Sequence, residues 1–160
     1  MNLEKFSRIV WVLFGIYLSL LISIRLVSPM ATEQGIEPYM VWWLGGAVAV
    51  LAALGGNLAA GRNYSSTVKA EPEEPRECFG LSMAYSAISG LVLGSLVSAV
   101  LFGFSAILGF IEVPNGLGSL VLNSMSLGGS HGVLSGLFVG FIIGGYAAYG
   151  LYEGKDVSEL

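Results

Sequence analysis

The chain carries four long apolar stretches, at 9–27, 39–60, 81–111 and 132–152, and Arg25 is the one Asp, Glu, Lys, Arg or His residue inside any of them. Each stretch is close to the 20 or so residues that a helix needs to cross the hydrocarbon core of a bilayer. A soluble domain carries about 25% charged residues. Here the charged share is 11% against 54% hydrophobic, with mean hydropathy +0.76. In hydrocarbon every backbone N–H and C=O must be paired within the protein, which leaves helices or a closed barrel, and stretches of this length and continuity select helices. The sequence therefore predicts an all-α integral membrane protein. It has one membrane domain over 1–160, with four transmembrane helices arranged as two hairpins.

The first stretch could also be read as a secretory signal, because the charged "MNLEKFSR" precedes it and Ala31 follows it. Its apolar run exceeds the usual 7–15 residues or so, and the flanks of Ala31 match the small-residue cleavage pattern poorly. Retention as a membrane span is the expectation. Lys5 and Arg8 precede the first span, Arg62, Lys69 and Arg76 separate the second from the third, and Lys155 follows the fourth. Only Arg25 falls at the opposite end. The positive-inside bias then places both termini and the 62–80 linker in the cytoplasm and the 112–131 loop outside, in the cell membrane. Trp42 and Trp43 mark one interface, and Phe6, Trp11, Tyr64, Phe79, Tyr85, Tyr149 and Tyr152 mark the other.

All five prolines (Pro29, Pro38, Pro72, Pro75 and Pro114) lie outside the apolar stretches, so the spans are expected to be unbroken helices. The linker "NYSSTVKAEPEEPRECFG" mixes Glu71, Glu73, Glu74 and Glu77 with Lys69 and Arg76. It lacks the run of about four to eight basic residues that a lipid-binding cluster requires, and it reads as a solvated, mobile connection. The outer segment "PNGLGSLVLNSMSLGGSHG" carries apolar residues at 117, 120, 121, 125 and 127. It predicts a short interfacial helix or a re-entrant turn, the former being the commoner case.

Small residues recur at every fourth position along the spans. The fourth has Gly132, Gly136, Gly140, Gly144 and Ala148, and the second has Gly45, Ala49, Ala53, Asn57 and Gly61. The third has Ser82, Ser86, Gly90, Gly94 and Ser98, and the first has Gly15, Ser19 and Ser23. In a water-soluble helix each glycine costs about 1 kcal/mol relative to alanine. In lipid, where burying Leu against Leu gains little over Leu against an acyl chain, a flat stripe lets two helix backbones approach and their hydroxyls bond. One such spacing is commonplace in membrane helices. Runs in register in several spans predict a tightly packed bundle.

Two further features concern kinship. "GGNLAAG" closes the second span and "GGYAAYG" the fourth, the same glycine spacing at Gly55, Gly56, Gly61 and at Gly144, Gly145, Gly150, which suggests an internal repeat of parallel hairpins. These glycine-rich helix ends, the four-span layout and the acidic balance of 11 acids to 7 bases resemble small glycine-rich membrane proteins of uncharacterised function common in archaea, especially halophiles. That resemblance implies a helical membrane bundle and supplies no activity.

Motifs with chemical meaning fare poorly. "GGSHG" at 128–132 matches the nucleophile elbow G-x-S-x-G, but His131 is the sole histidine and lies within the motif, leaving Ser130 without a separate base. "GNLAAGRN" at 56–63 has Arg62 and Asn63 where a phosphate-binding loop needs Lys and Ser or Thr. One Cys and one His, placed on opposite sides of the membrane, cannot build a zinc shell, and Cys78 has no disulfide partner in the chain. No enzyme activity, cofactor, metal or nucleic-acid partner is expected. Proton-coupled transport would mark its path with buried ionisable groups, which the spans lack near their middles. The preferred reading is a structural or interaction subunit, self-associating or part of a larger membrane assembly, with the bilayer as its constant partner. The alternative is a passive channel or carrier for a small neutral solute, lined by hydroxyls such as Ser86, Ser89, Ser95 and Ser98.

Overall fold

A computed structural model of the chain describes residues 2–70, 72 and 74–155, so Glu71 and Glu73 of the linker lie outside the described residues. The described chain is a helical bundle. Helix α1 covers Leu3–Ile22, runs through a π-helical turn at Ser23–Val27 and continues as α2 over Ser28–Glu33. Three long helices follow: α3 at Pro38–Lys69, α4 at Pro75–Ile107 and α5 at Leu117–Tyr152. The combined first helix and each of the other three are long and apolar enough to cross a membrane.

Local chemistry sets the ends of these elements. Asn2 caps α1, its side-chain oxygen accepting from the Lys5 N–H at 3.0 Å. Pro38 and Pro75 occupy the first turns of α3 and α4, where a missing N–H leaves no helical bond unmade. The two hairpin turns begin at Gly35 and Gly109, both at φ 73°, a conformation strained for any residue with a Cβ. After Gly109, Phe110 N–H bonds to the Ser105 carbonyl and Gly109 N–H to that of Ala106, the paired closure that satisfies the last carbonyls of α4.

Three sequence expectations need correction. The outer connection is not a loop over 112–131 with a separate interfacial helix, because α5 already starts at Leu117 and runs without interruption. The polar look of 117–131 misleads: Ser124, Gly128 and Gly129 are buried, the two glycines against Leu91, Gly94, Ser95 and Ser98 of α4. Likewise the 62–80 linker shrinks to a few residues, since α3 extends to Lys69 and α4 begins at Pro75. Finally, the first span is not an unbroken α-helix. At the π turn the Ser28 N–H bonds to the Ser23 carbonyl, five residues back, just before Pro29. Buried positions step from Leu18 to Ile22 and then to Val27 and Ala31, so Arg25, three residues after Ile22, stays exposed instead of rotating into the core.

Candidate functional site at the seam between hairpins

Each hairpin closes on its small residues. A methyl group at Gly132 would collide with the Gly90 carbonyl, and one at Gly94 with the Gly128 carbonyl. At Gly136 it would meet the Ser86 carbonyl, at Gly140 it would lie 2.7 Å from Met83 Cα, and at Gly144 it would lie 3.1 Å from Ser82 Cβ. From Gly128 to Gly136 each four-residue step along α5 is thus matched by a four-residue step back along α4, and α4 and α5 make the most extensive contact in the bundle. Ser95 adds a hydrogen bond from its Oγ to the Met125 carbonyl at 3.0 Å.

The first hairpin uses the same device. Methyl groups at Gly15 and Gly56 would strike the carbonyls of Ala52 and Trp11, and one at Gly45 would strike the Ser23 hydroxyl. Ser19 Oγ donates to the Gly45 carbonyl at 2.8 Å. Gly45 and Ala49 are buried as part of this face, but Ala53 is half-buried and its neighbour Ala52 takes the inner place. In α5, Ala148 is likewise half-buried and Ala147 is fully buried. A four-residue step overshoots the 3.6-residue turn, so a stripe kept at strict spacing drifts off the face until it slips by one residue. Trp11, expected at an interface, is fully buried with its ring edge-on to Phe14 at 5.3 Å, because it lies on the α1 face that meets Gly56.

Contact between the hairpins is looser. On one side α3 meets α4 through Gly55 against Leu93 and through Ser89 Oγ, which donates to Asn63 Oδ1 at 2.9 Å. On the other side Phe6 of α1 stacks on Tyr146 of α5 with centroids 4.8 Å apart. A small pocket of about 10 Å³ lies where the hairpins meet, lined by Ser7, Asn63, Thr67, Ser82 and Ser86 together with Leu3, Tyr64 and Ile143. Asn63 is 8% exposed, and its Nδ2 has no acceptor among the described residues. The pocket has room for about one water, with enough polar groups around it to hold one. In the sequence Asn63 stands out only as a mismatch to the phosphate-loop pattern at the start of the 62–80 linker, and nothing there marks it as a seam residue.

Larger clefts open outward along both sides of the seam. The α1–α5 cleft, about 510 Å³, is walled by Val10, Leu13, Phe14, Leu134 and Phe138, with Tyr17 and Ser135 its only polar side chains. The α3–α4 cleft, about 420 Å³, has Leu58, Ile88, Val92 and Leu96 along its length, and Arg62, Ser66 and Tyr85 gather at one end.

The remaining motifs take ordinary places. Ser130 and His131 lie within α5, neither at a strand-to-helix turn nor, as the sequence suggested, at a flexible turn before the helix starts. Ser130 Oγ donates to the Leu127 carbonyl at 2.8 Å, and His131 Nδ1 approaches the same oxygen at 2.8 Å. The 56–63 segment is internal to α3, and Cys78 is buried. Among the described residues no group of His, Cys, Asp or Glu is placed to hold a metal ion. The repeated glycines differ in surroundings, since Gly56 faces the Trp11 carbonyl whereas the matching Gly145 has nothing within 4 Å. Comparison with family models, curated proteins and solved structures finds no match to this chain.

Proposed function

We propose that this multi-pass membrane protein is a structural or interaction subunit, self-associating or joined to other membrane subunits, rather than a transporter or an enzyme. One observation carries the reading: of the four serines that could line a pore, two bond across helices through their hydroxyls and two are buried against a neighbouring helix, the Ser98 hydroxyl with no partner among the described residues. Ser89 bonds to Asn63, Ser95 bonds to the Met125 carbonyl, and Ser86 and Ser98 lie buried opposite Gly136 and Gly128. In a bilayer such bonds and close backbone contacts are what hold helices together. The stripes are occupied inside the chain, so a partner must dock on the outer faces, where Leu54, Leu58, Leu134 and Phe138 are exposed. The distribution of basic residues supports a cell-membrane topology with both termini in the cytoplasm.

The test combines flux with association. Proteoliposomes should show no glycerol or urea permeability above protein-free vesicles in a stopped-flow swelling assay, while cross-linking in the same membranes should trap one defined higher-order species. Solute flux that scales with protein content would overturn the reading in favour of a passive channel. A chain that stays monomeric in native membranes would overturn it as well.

A further inference from the structure

We propose that the α3–α4 cleft is a binding site for a single phospholipid, its phosphate held at Arg62 and one acyl chain lying along Ile88, Val92 and Leu96. Charge and length both point to this occupant. Arg62 is exposed at one end of the cleft and makes no ion pair or hydrogen bond with any described residue. Arg8, at the same end of the bundle, is by contrast paired with Glu4 at 2.8 Å and donates to Asn57 Oδ1 at 2.9 Å. A guanidinium whose donors meet no acceptor among the described residues, in a cleft that the Ser66 and Tyr85 side chains also line, presents the fork that a phosphate diester accepts.

The apolar part has the matching dimension. From Tyr85 to Leu96 the α4 wall rises about 16 Å at 1.5 Å per residue. One leaflet contributes about half of a hydrocarbon core roughly 30 Å thick. The cleft therefore spans a single leaflet, with a cation where the headgroup sits and branched aliphatic side chains where the chain sits. The α1–α5 cleft on the opposite side runs only about 12 Å along α5, from Leu134 to Ile142, and has no cation in its lining, so it lacks the headgroup half of such a site.

The test uses native mass spectrometry of the detergent-solubilised full chain. Three arms add dioleoyl phosphatidylglycerol, dioleoylglycerol, which keeps the chains and lacks the phosphate, or dioleoyl phosphatidylglycerol with excess inorganic phosphate. The expected result is one phosphatidylglycerol retained per chain, dioleoylglycerol retained at least tenfold less, and no displacement by inorganic phosphate. Arg62→Gln should lower retention at least tenfold, as should Val92→Trp, which fills the cleft. Both side chains are exposed, so neither change touches the packed interior. Arg76→Gln, an exposed cation that does not line the cleft, should leave retention unchanged. Equal retention of dioleoylglycerol, undiminished retention by Arg62→Gln or Val92→Trp, an equal loss in Arg76→Gln, or displacement by inorganic phosphate would each overturn the proposal.

Discussion

Adding one methyl group at Gly132 tests whether the α4–α5 hairpin is held by backbone contact. The new carbon would collide with the Gly90 carbonyl oxygen and lie 2.7 Å from its carbonyl carbon and 3.1 Å from Gly94 Cα. Carbon pairs are most favourable at about 3.5–4.0 Å, so the helices must part by about 1 Å, which forfeits a quarter to a half of each pair's 0.1–0.2 kcal/mol or so. Over on the order of 50 atom pairs in the adjoining turns the loss is about 1–5 kcal/mol, and its middle of about 2–3 kcal/mol is in the usual range for overpacking. Gly145→Ala in the same helix is the control, because nothing lies within 4 Å of the added carbon there. Both variants share the intrinsic gain of replacing helical glycine by alanine, at most about 1 kcal/mol, so their difference isolates the contact. Reversible unfolding in mixed detergent micelles, followed by far-ultraviolet circular dichroism, should place Gly132→Ala about 2–3 kcal/mol below Gly145→Ala. A gap under about 0.5 kcal/mol would refute the reasoning, since α5 would then not touch α4 through its stripe.

Two other outcomes follow from named residues. In a Cys78→Ser background, an impermeant thiol reagent applied to intact cells should label Asn115→Cys, in the turn between α4 and α5, and not Ala70→Cys, at the end of α3; labelling at position 70 would reverse the orientation. A double-mutant cycle on Asn63→Ala and Ser89→Ala should give a coupling of about 0.6 kcal/mol, up to roughly 1.7, as expected for an interhelical hydrogen bond in a membrane protein, and a coupling of zero would remove that bond from the seam.

The four spans were legible because length and the absence of charge decide them without tertiary information. The stripe from Gly132 to Gly144 was legible too, since four-residue spacing puts those positions on one helical face, and they all pack on α4. Its continuation through Gly128 and Ser124 was hidden by composition. Ser, Asn and Gly read as loop in water, yet Ser124 is buried and Gly128, against Gly94 and Ser98, lets the two helices touch. The slip from Ala148 to Ala147 needs the path of the partner helix, which no spacing rule contains. Asn63 was invisible for a different reason: its position beside Arg62 looks like the edge of a solvated linker, and only the tertiary arrangement puts Ser89 opposite it. The π turn before Pro29 likewise answers to which face is buried on either side, and sequence alone signals only the proline.

The short turns at 34–37 and 108–116 bear on how the protein is made. Closing so small a loop costs little chain entropy, and the contacts it brings together are near in sequence. A ribosome releasing the chain from its N-terminus completes α1 and α3 before α4 exists, so the first hairpin can close while the second is still being synthesised. Docking of the finished halves is then the last step of assembly. Heat or pulling force should reverse that order, parting the two hairpins as intact pieces along the Asn63–Ser89 line before either one comes undone.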